Sequence, residues 1–447
     1  MKLHEYQKKA IKFGLENKAV YYAIDLGLGK TAIDLHRIKI MKNHGIKSIV
    51  FAPIPVIYNT WPMEIKNWGL DLSFEVLHGP EKSYILQKKN PDIFLINYEG
   101  LKWFREAIST YVPKWKPRSL VLDEGSFIKD PSTLRFKSLK KMMPLWHERR
   151  SVLSATPAPN GYHNLWAQYY MLDRGLRLGK TYNEFRGRFF HYSGPPLFKT
   201  TIRPGMDVGI QRLIKDITFR LENTDRPYEM VFNNIPLELP PKMRELYNRL
   251  EKDFLLEFDG SDATAFSAAA LSMKLRQFIQ GAIYTSTETK SYEILHQVKA
   301  EALKALVEAL NGNPLLCAIQ FRFELEMINK IFGKEVPYIA KGISPKRVMQ
   351  LVDEWNSGSI PLLLCHPASI GHGVNMQKSG YNLLWYAQTW SLEHYQQLIG
   401  RIARQGQMSK TVVINTLMLK NTIDERITKT IQKKGITQKD LLDALRS

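Results

Sequence analysis

The sequence predicts an α/β fold made of two parallel-sheet lobes, with helical insertions between them. In the first and last thirds of the chain, short continuous apolar runs alternate with amphipathic stretches of helical spacing. Continuous apolar strands separated by helices are typical of a parallel sheet that is covered on both faces. The chain has 447 residues, 44% of them hydrophobic, which is enough for two or three domains with their own cores.

The first lobe is expected over residues 1–160. Its strands are predicted, in chain order, at Val20–Ile24, Ser48–Ala52, Ile93–Ile96, Ser119–Leu122 and Ser151–Leu153. Two of the intervening segments have helical spacing and a polar face, and they predict helices at Thr31–Met41 and Pro131–Met142.

The pattern changes in the middle of the chain. Aromatic and basic residues crowd Tyr162–Tyr192, and the stretch from Arg174 to Arg226 carries 11 Lys and Arg against 5 Asp and Glu. Its net charge of +6 exceeds the roughly +2 that an even share of the total charge would give. We interpret residues 161–235 as a basic, aromatic insertion on the first lobe. Residues 236–295 are interpreted as a helical insertion of the second lobe, with helices at Pro240–Leu256 and Ala263–Gln280.

The second lobe is expected over residues 296–447. Its strands are predicted at Leu315–Ile319, Pro361–Cys365, Tyr381–Trp385 and Thr411–Asn415. Its helices are predicted at Lys299–Leu310, Pro345–Trp355 and Leu392–Ala403.

Composition excludes several classes of protein. The formal net charge of +20 favours a polyanionic partner, because cations placed at phosphates release condensed counterions. Two cysteines, Cys317 and Cys365, are too few for a disulfide framework or a cysteine-rich zinc module, so a reducing cytoplasm is the expected compartment. The first residues lack the apolar stretch of a secretory signal, and no run approaches the roughly 20 apolar residues that span a bilayer. We therefore expect no membrane partner.

A glycine-rich loop follows the first predicted strand and opens a helix. It reads Asp25-Leu26-Gly27-Leu28-Gly29-Lys30-Thr31-Ala32, and all eight residues are candidate nucleotide contacts. Such a loop wraps backbone N–H groups around phosphates, while Lys30 reaches the outer phosphates and the Thr31 hydroxyl binds Mg²⁺. The general pattern has glycine where this sequence has Ile24. The alternative is an ordinary glycine-rich turn.

Two consecutive acids, Asp123 and Glu124, follow the predicted strand Ser119–Leu122. At the carboxyl edge of a parallel sheet, Asp123 can hold Mg²⁺ and Glu124 can activate an attacking water. Alone, the pair also fits a solvated loop. Together with the upstream phosphate loop it predicts hydrolysis of a nucleoside triphosphate. The segment Ser154–Pro157 ends the next strand, where its hydroxyls could bind the acids or simply form a turn.

In the second lobe, Arg401 and Arg404 lie three residues apart, and hence on one face if the segment is helical. Two guanidinium groups on one face suit the charge that spreads over a γ-phosphate in the transition state. A surface helix with scattered arginines is the alternative. Gly373 and Asn375 belong to the segment Ile370–Asn375, whose glycines allow close approach of the backbone to a phosphate or ribose.

The order of these segments resembles the successive motifs of superfamily-two helicase-like motors, most closely the Swi/Snf-type branch. The resemblance spans nearly the whole chain and is carried by Leu3–Gln7, Gly27–Thr31, Ala52-Pro53 with Trp61, Ile96–Glu99, Asp123-Glu124, Ser154–Pro157, Gly371–Asn375 and Gln397–Gln407. It implies two RecA-like lobes, ATP and Mg²⁺ as cofactors, and movement on double-stranded DNA.

The resemblance also implies a role for individual residues. Tyr6 and Gln7 would recognise adenine, and Glu124 would be the catalytic base. The first lobe would supply Lys30 to the phosphates and Asp123 to the metal, and the opposite lobe would complete the catalytic set with Gln397, Arg401 and Arg404. Two positions depart from the family pattern: Ser126 stands where many relatives carry histidine, and Ile24 replaces an acidic residue.

The candidate DNA contacts are Pro53, Tyr98, Arg186, Arg188, Phe190, Tyr192, Lys199 and Arg203. The segment Arg186–Met206 has two short extended runs around a Ser-Gly-Pro-Pro turn, with aromatic rings for stacking and arginines for phosphates, so it could act as a wedge in a duplex. The alternative is that its aromatic residues, Phe189, Phe190 and Tyr192, dock this excursion onto the first lobe, since aromatic residues are more often part of a core.

The function favoured by the sequence is that of a DNA-dependent ATPase and helicase that translocates on DNA and remodels branched DNA, by fork reversal, branch migration or limited unwinding, in replication, recombination or repair. A motor that displaces proteins, such as a stalled polymerase, uses the same ATPase and remains an alternative. A non-enzymatic DNA-binding scaffold is the third. The chain is similar to compact bacterial or viral members of the family, so its expected setting is a cytoplasm, or a host cytoplasm if it is viral. DNA is favoured over RNA by the resemblance alone.

Overall fold

A computed structural model describes residues 2–110, 117–192, 200–222, 228–258, 265–286, 291–370, 374–404 and 406–444. The chain divides into two compact units. The first unit comprises Met1–Gly194, Phe198–Thr224 and Lys434–Ser447, and the second comprises Pro195–Leu197 and Asp225–Lys433.

The first unit is built on a seven-stranded parallel sheet of order β3-β4-β2-β5-β6-β1-β9. The strands of this unit are β1 (Ala19–Ile24), β2 (Ser48–Ala52), β3 (Phe74–Val76), β4 (Ile93–Asn97), β5 (Ser119–Asp123), β6 (Arg149–Ser154), β7 (Phe190–Tyr192), β8 (Thr200–Ile202) and β9 (Thr218–Leu221). Strands β7 and β8 stand apart from the sheet as an antiparallel pair, in which Phe190 lies opposite Ile202.

Nine helices belong to the described part of the first unit outside its C-terminal segment. They are α1 (Glu5–Glu16), α2 (Lys30–Lys42), α3 (Trp61–Asn67), α4 (Lys82–Lys88), α5 (Leu101–Thr110), α6 (Leu134–Met142), α7 (Leu165–Asp173), α8 (Tyr182–Phe189) and α9 (Met206–Ile214). Successive side chains of β1 enter two different cores: Tyr21 and Ala23 pack in one cluster, and Val20, Tyr22 and Ile24 in the other. Burial on both faces explains why the strands are continuously apolar.

The second unit has a six-stranded parallel sheet of order β10-β17-β16-β13-β15-β14 and a separate antiparallel pair, β11-β12. Its strands are β10 (Glu229–Leu237), β11 (Ala282–Tyr284), β12 (Tyr292–Ile294), β13 (Leu315–Ala318), β14 (Tyr338–Ile339), β15 (Leu362–Cys365), β16 (Asn382–Trp385) and β17 (Thr411–Leu419). The helices that begin in this unit are α10 (Pro241–Phe258), α11 (Ala265–Ile279), α12 (Val298–Ala309), α13 (Arg322–Phe332), α14 (Pro345–Asn356), α15 (Leu392–Ile402) and α16 (Ile423–Ala444).

The predicted α/β class with two parallel sheets is confirmed, and each of the nine predicted strands corresponds to a strand of one of the two sheets. One predicted boundary is wrong. The insertion on the first lobe was expected to extend to residue 235, but β10 pairs along its whole length with β17 of the second sheet. The second unit therefore takes up the chain from Asp225. Strand β10 escaped prediction because it is an edge strand with exposed and half-buried residues, including an exposed Phe232.

The helices and the two cysteines relate to expectations drawn from the composition. Within the described ranges, no helix combines the length and the apolar character needed to cross a membrane. Cys317 and Cys365 are free, buried thiols on the neighbouring strands β13 and β15.

Candidate nucleotide site

The loop between β1 and α2 depends on two glycines. Gly27 has φ 85° and Gly29 has φ 76°, which is the left-handed region that residues with a Cβ rarely adopt. Gly29 directly precedes Lys30, the first residue of α2, so the loop delivers its backbone to the N-terminus of a 13-residue helix. Lys30 Nζ donates a hydrogen bond of 2.9 Å to the carbonyl oxygen of Ile24 and thus lies over the loop. The N–H groups at a helix N-terminus, the helix dipole and this ammonium group together favour an anion.

Helix α1 brings a glutamine to this loop. Gln7 is buried, and its Oε1 accepts a 2.9 Å hydrogen bond from the backbone N–H of His4. A Cβ at Gly29 would lie only 2.5 Å from Gln7 Nε2, so a side chain at position 29 would displace the glutamine. Tyr6 stacks on His4 with ring centroids 5.2 Å apart. The structure therefore brings Gln7 to the phosphate loop, and recognition of adenine by Tyr6 and Gln7 stays a prediction.

The other residues of the loop have different surroundings. Leu28 and Ala32 are buried, whereas Leu26 and Thr31 are half-buried. Asp25 accepts a 3.0 Å hydrogen bond from Arg220 of β9. The same guanidinium group donates to the carbonyl oxygen of Ala23, also at 3.0 Å. The carboxylate of Asp25 thus anchors the base of the loop to β9. Contact of Asp25 with a nucleotide stays a prediction.

The acidic pair lies at the carboxyl end of β5. The Asp123 carboxylate accepts a 2.9 Å hydrogen bond from the indole N–H of Trp61, and its carbonyl oxygen accepts one of 2.9 Å from the Tyr98 hydroxyl. Burial raises the pKa of Asp123 above its ordinary value, although the Trp61 hydrogen bond and the positive charge of Lys30 act in the opposite direction. Asp123 is therefore close enough to Lys30 for an electrostatic interaction between the two motifs.

Glu124 has a left-handed backbone, with φ 61°. Such a conformation is uncommon for a residue with a side chain and is often found at functional sites. Its Oε1 accepts a 3.2 Å hydrogen bond from the hydroxyl of Ser126. Ser126 stands where many relatives are expected to have histidine, and here it contacts the candidate catalytic base directly.

A buried glutamine ties β1 to the loop that follows β6 and lies beside Gly125, the residue after the acidic pair. Gln168 Oε1 accepts a 2.7 Å hydrogen bond from the Tyr21 hydroxyl, and Nε2 donates to the carbonyl oxygens of Pro157 and Asn164 at 2.8 and 2.9 Å. A Cβ at Gly125 would lie 2.8 Å from the same Oε1. Our sequence analysis missed Gln168. The available signal was a polar residue inside the apolar helix α7.

The arginines of the second unit are brought together by a loop and not by helical periodicity. Helix α15, capped by the Ser391 hydroxyl, ends at Ile402, so Arg404 lies beyond it. The condition for a shared helical face, a helix that includes both arginines, is therefore not met. Arg401 Nη1 donates at 3.3 Å to the carbonyl oxygen of Val374, and Arg404 donates to the side-chain oxygen of Asn375.

The segment Val374–Met376 is also held from the end of α14. Asn356 Nδ2 donates a 2.7 Å hydrogen bond to the carbonyl oxygen of Asn375, and Trp355 Nε1 donates one of 2.9 Å to that of Met376. The backbone N–H of Met376 donates at 3.2 Å to the carbonyl oxygen of Arg401. Sequence reasoning missed Trp355 and Asn356, which it placed only at or beyond the end of a helix.

Gln397 and Gly373 are the remaining candidates of the second unit. Gln397 is buried on α15, where its Nε2 lies 3.5 Å from Glu393 Oε1. Gly373 lies outside the described residues.

Three candidate DNA contacts are buried instead. Pro53 is buried, and Tyr98 is 1% exposed, with its ring stacked on Phe127 at 5.1 Å. Phe190 and its neighbour Phe189 pack in a core of the first unit. The prediction that the side chains of Pro53, Tyr98 and Phe190 contact DNA is wrong for this structure. Removing these apolar and aromatic surfaces from water stabilises the fold, so they pack inside the unit and are not exposed to a partner. The docking alternative is confirmed for Phe189 and Phe190.

The remaining candidates lie at or near the surface, or outside the description. Arg188 is exposed, and Arg186 and Arg203 are half-buried. Lys199 and the side chain of Tyr192 lie outside the described part of the chain.

Two domain families match the chain. Residues 6–190 match the SNF2-related domain, and residues 298–406 match the helicase conserved C-terminal domain. The chain is 32% identical to protein p41 of Acyrthosiphon pisum secondary endosymbiont phage 1, over 99% of this chain and 98% of p41. It is 24% identical, over 99% of its length, to an uncharacterized ATP-dependent helicase of Mycoplasma pneumoniae, of which it spans only 42%.

A similar solved structure is the Sulfolobus solfataricus SWI2/SNF2 ATPase core in complex with dsDNA. The likeness has a TM-score of 0.45 and 21% sequence identity, and it covers 99% of this chain and 93% of that chain.

Two parallel-sheet units with a phosphate loop and an acidic pair define an ATP-hydrolysing enzyme with helicase domains. The chain belongs to the Swi/Snf-type branch of the superfamily-two helicase-like ATPases.

Proposed function

We propose that the protein is a DNA-dependent ATPase that translocates on double-stranded DNA and remodels branched DNA, by fork reversal, branch migration or limited unwinding. The observation that carries the ATPase is the assembly of Gln7, the Gly27–Thr31 loop and Asp123 in one unit. The net charge of +20 and the family support DNA as the polyanion. We place this activity in replication, recombination or repair, in the cytoplasm of a cell or of a phage host.

In this proposal, the first unit binds ATP with Mg²⁺. The hydroxyl of Thr31 and the carboxylate of Asp123 are oxygen donors of the kind that Mg²⁺ prefers. No group of three or more His, Cys, Asp or Glu suited to a metal occurs among the residues described. This agrees with an ion held by one or two protein oxygens together with phosphates. When bound, Mg²⁺ would neutralise charge that develops on the phosphates.

The protein groups have distinct roles in hydrolysis. Lys30 holds the outer phosphates, and Glu124 orients a water and accepts its proton, with Ser126 fixing the carboxylate through its 3.2 Å hydrogen bond. Arg401 and Arg404 contribute positive charge to the transition state, and Asn375 orients Arg404 through their hydrogen bond. Gln397 lies on the same helix as Arg401 and completes the set.

The test compares ATP turnover of three variants with and without duplex DNA. Lys30→Ala and Glu124→Gln should each reduce DNA-stimulated turnover by two orders of magnitude or more, on the scale of losses seen when an electrostatic or general-base group is removed. Glu81→Gln, which removes an exposed carboxylate on α4's N-terminal side, is the matched control and should behave as wild type. Unchanged turnover in Glu124→Gln would contradict the assignment of the catalytic base.

The DNA substrate requires a separate experiment. Turnover should be measured with single-stranded, duplex, forked and four-way DNA and with RNA of equal length. We expect duplex and branched DNA to stimulate most, and the protein to convert the branched substrates. Stimulation without conversion, together with release of a DNA-bound polymerase, would favour protein displacement. Equal turnover in wild type and Glu124→Gln under every condition would favour the scaffold.

A further inference from the structure

An open cavity lies beside the β7-β8 pair of the first unit, and neither the phosphate loop nor the acidic pair of the candidate nucleotide site lines it. The cavity has a volume of about 410 Å³ and lies between α8 and the pair β7-β8. Its polar lining comes from Asn183, Arg186, His191, Thr200 and Arg203. All of these residues lie in the part of the chain that was singled out by its local positive charge.

Core packing of Phe190 and hydrogen bonds of Arg203 fix the position of the strands that line the cavity. Phe190 lines it but is anchored in the core, which fixes the start of β7. Arg203 donates from its backbone N–H to the carbonyl oxygen of Phe189 at 2.9 Å, and from Nε to that of Phe190 at 3.1 Å. The guanidinium plane of Arg203 is thereby tied to the hairpin. Arg186 lies over the ring of Tyr182, 5.9 Å from its centroid.

The electrostatics of the cavity favour an anion. Its lining contains two guanidinium groups, an imidazole, an amide and a hydroxyl, and no carboxylate belongs to it. The acid on the same helix, Glu184, is engaged elsewhere, because it accepts hydrogen bonds from the backbone N–H groups of Lys180 and Thr181 at 2.7 and 3.2 Å. Among the described residues, the acceptors of Arg203 are the backbone carbonyl oxygens of Phe189 and Phe190. Guanidinium groups suit a phosphate, to which they donate in pairs.

The same lining argues for a phosphate of a nucleic-acid backbone. Of the two rings in the described lining, that of Phe190 is 6% exposed and packed in the core, so it offers no face on which a base could stack, and the exposed imidazole of His191 can donate a hydrogen bond to a phosphate. A site of this kind contacts the backbone and leaves the bases unread.

We propose that the cavity between α8 and β7-β8 binds a phosphate of the DNA backbone and gives the protein a sequence-independent DNA contact outside the candidate nucleotide site. The proposal rests on the proposed function, since DNA is the polyanion that it assumes. Each phosphate neutralised in this way contributes counterion release and hence salt dependence to the affinity.

A glycine of the cavity lining allows the proposed phosphate site to be tested without disturbing the packing. Gly187 lines the cavity in the middle of α8, and a Cβ there would meet no atom within 4 Å. Gly187→Glu therefore adds a carboxylate to the proposed phosphate site without a clash, and glutamate is the better helix former. Gly209→Glu is the matched control, because Gly209 is an equally open glycine of α9 that does not line the cavity.

Binding of duplex DNA should be measured by fluorescence anisotropy without nucleotide, and basal ATP turnover without DNA. We expect Gly187→Glu to weaken DNA binding on the order of tenfold and to reduce the slope of log affinity against log salt by about 1. Gly209→Glu should have a much smaller effect, and basal turnover should be unchanged in both. Equal weakening by the two variants would show a general effect of charge and overturn the proposal.

A second pair of variants removes positive charge from the same helix. Arg186→Gln should weaken DNA binding more than Arg188→Gln, since Arg188 is exposed two residues further along and does not line the cavity. Equal effects would also overturn the proposal. A third outcome separates the two proposals. If the variants differ in DNA affinity as expected but DNA stimulates no ATP turnover of the wild type, the proposed function is contradicted and the phosphate site is supported.

Discussion

The carboxyl group of Glu324 is fully buried near the start of α13. It accepts hydrogen bonds from the backbone N–H groups of Gln320 and Phe321 at 2.6 and 3.0 Å. Burial nevertheless raises the pKa of Glu324 from 4.5 to about 7, because removal from water penalises the charged form more than these bonds stabilise it. His296 in the same unit shows the opposite change, since burial lowers its pKa from 6.5 to about 4.

The raised pKa of Glu324 predicts a pH-dependent stability. Between pH 4.5 and 7 the folded state keeps a proton that the unfolded chain releases, so this group's contribution to the free energy of unfolding falls as pH rises, by about 3 kcal/mol in total. His296 acts in the opposite sense between pH 4 and 6.5, because there the unfolded chain binds the proton first.

Glu324→Gln isolates the contribution of Glu324, since the amide oxygen can still accept both backbone hydrogen bonds. Relative to wild type, the variant should gain about 3 kcal/mol of unfolding free energy between pH 4.5 and 7.5. Urea unfolding of the intact chain at several pH values measures the difference. Parallel curves for the two proteins would show that Glu324 titrates normally in the folded state.

At the scale of elements, two helices and one extended segment of the second unit form a small assembly. The end of α14 holds Asn375 through Asn356, and the end of α15 holds Val374 through Arg401. Asn375 in turn binds Arg404. The position of Arg404 therefore depends on a helix that carries no recognised motif residue.

Asn356→Ala removes the 2.7 Å hydrogen bond that ties α14 to Asn375. Because a small displacement of a charged group costs much of its effect on a transition state, DNA-stimulated turnover should fall on the order of tenfold. The KM for ATP should change less, since binding uses the loop of the first unit. Steady-state kinetics provides the measurement.

Gln350→Ala, also on α14, is the control for Asn356→Ala. It removes a hydrogen bond to Glu354 on the exposed part of the helix and should leave turnover unchanged. A similar loss in both variants would indicate damage to α14 in general. A wild-type rate in Asn356→Ala would show that Arg404 does not depend on this tether.

At the scale of the whole molecule, positive charge is carried by many residues, whereas the groups assigned to ATP hydrolysis are few. The chain carries 63 Lys and Arg against 43 Asp and Glu, so positive charge is spread over many residues. The nucleotide loop, in contrast, offers ATP one lysine, Lys30 at the start of α2. Affinity for DNA should therefore depend on many residues, and ATP turnover on a few.

Lys30→Ala separates the two properties. We expect the variant to bind duplex DNA nearly as tightly as wild type, with an affinity that falls linearly on a log–log plot against salt, although it no longer hydrolyses ATP. Titrations at four salt concentrations provide the measurement. A loss of DNA affinity as large as the loss of turnover would indicate that Lys30 supports the fold or binds DNA itself.

The two-sheet α/β class, the phosphate loop and the acidic pair were determined by the sequence alone. Their signals are local: continuous apolar strands report burial on both faces, as β1 shows, and glycines beside Lys30 report a turn that few other residues can form.

The tertiary structure alone decided which side chains these motifs contact. Arg220 reaches Asp25 across 195 positions of the sequence, and Gln168 joins Tyr21 to Pro157. Phe190, which looked available for DNA, lies in a core. Burial and hydrogen bonding are properties of pairs of residues that are distant in the chain, so no local pattern of residue types contains them.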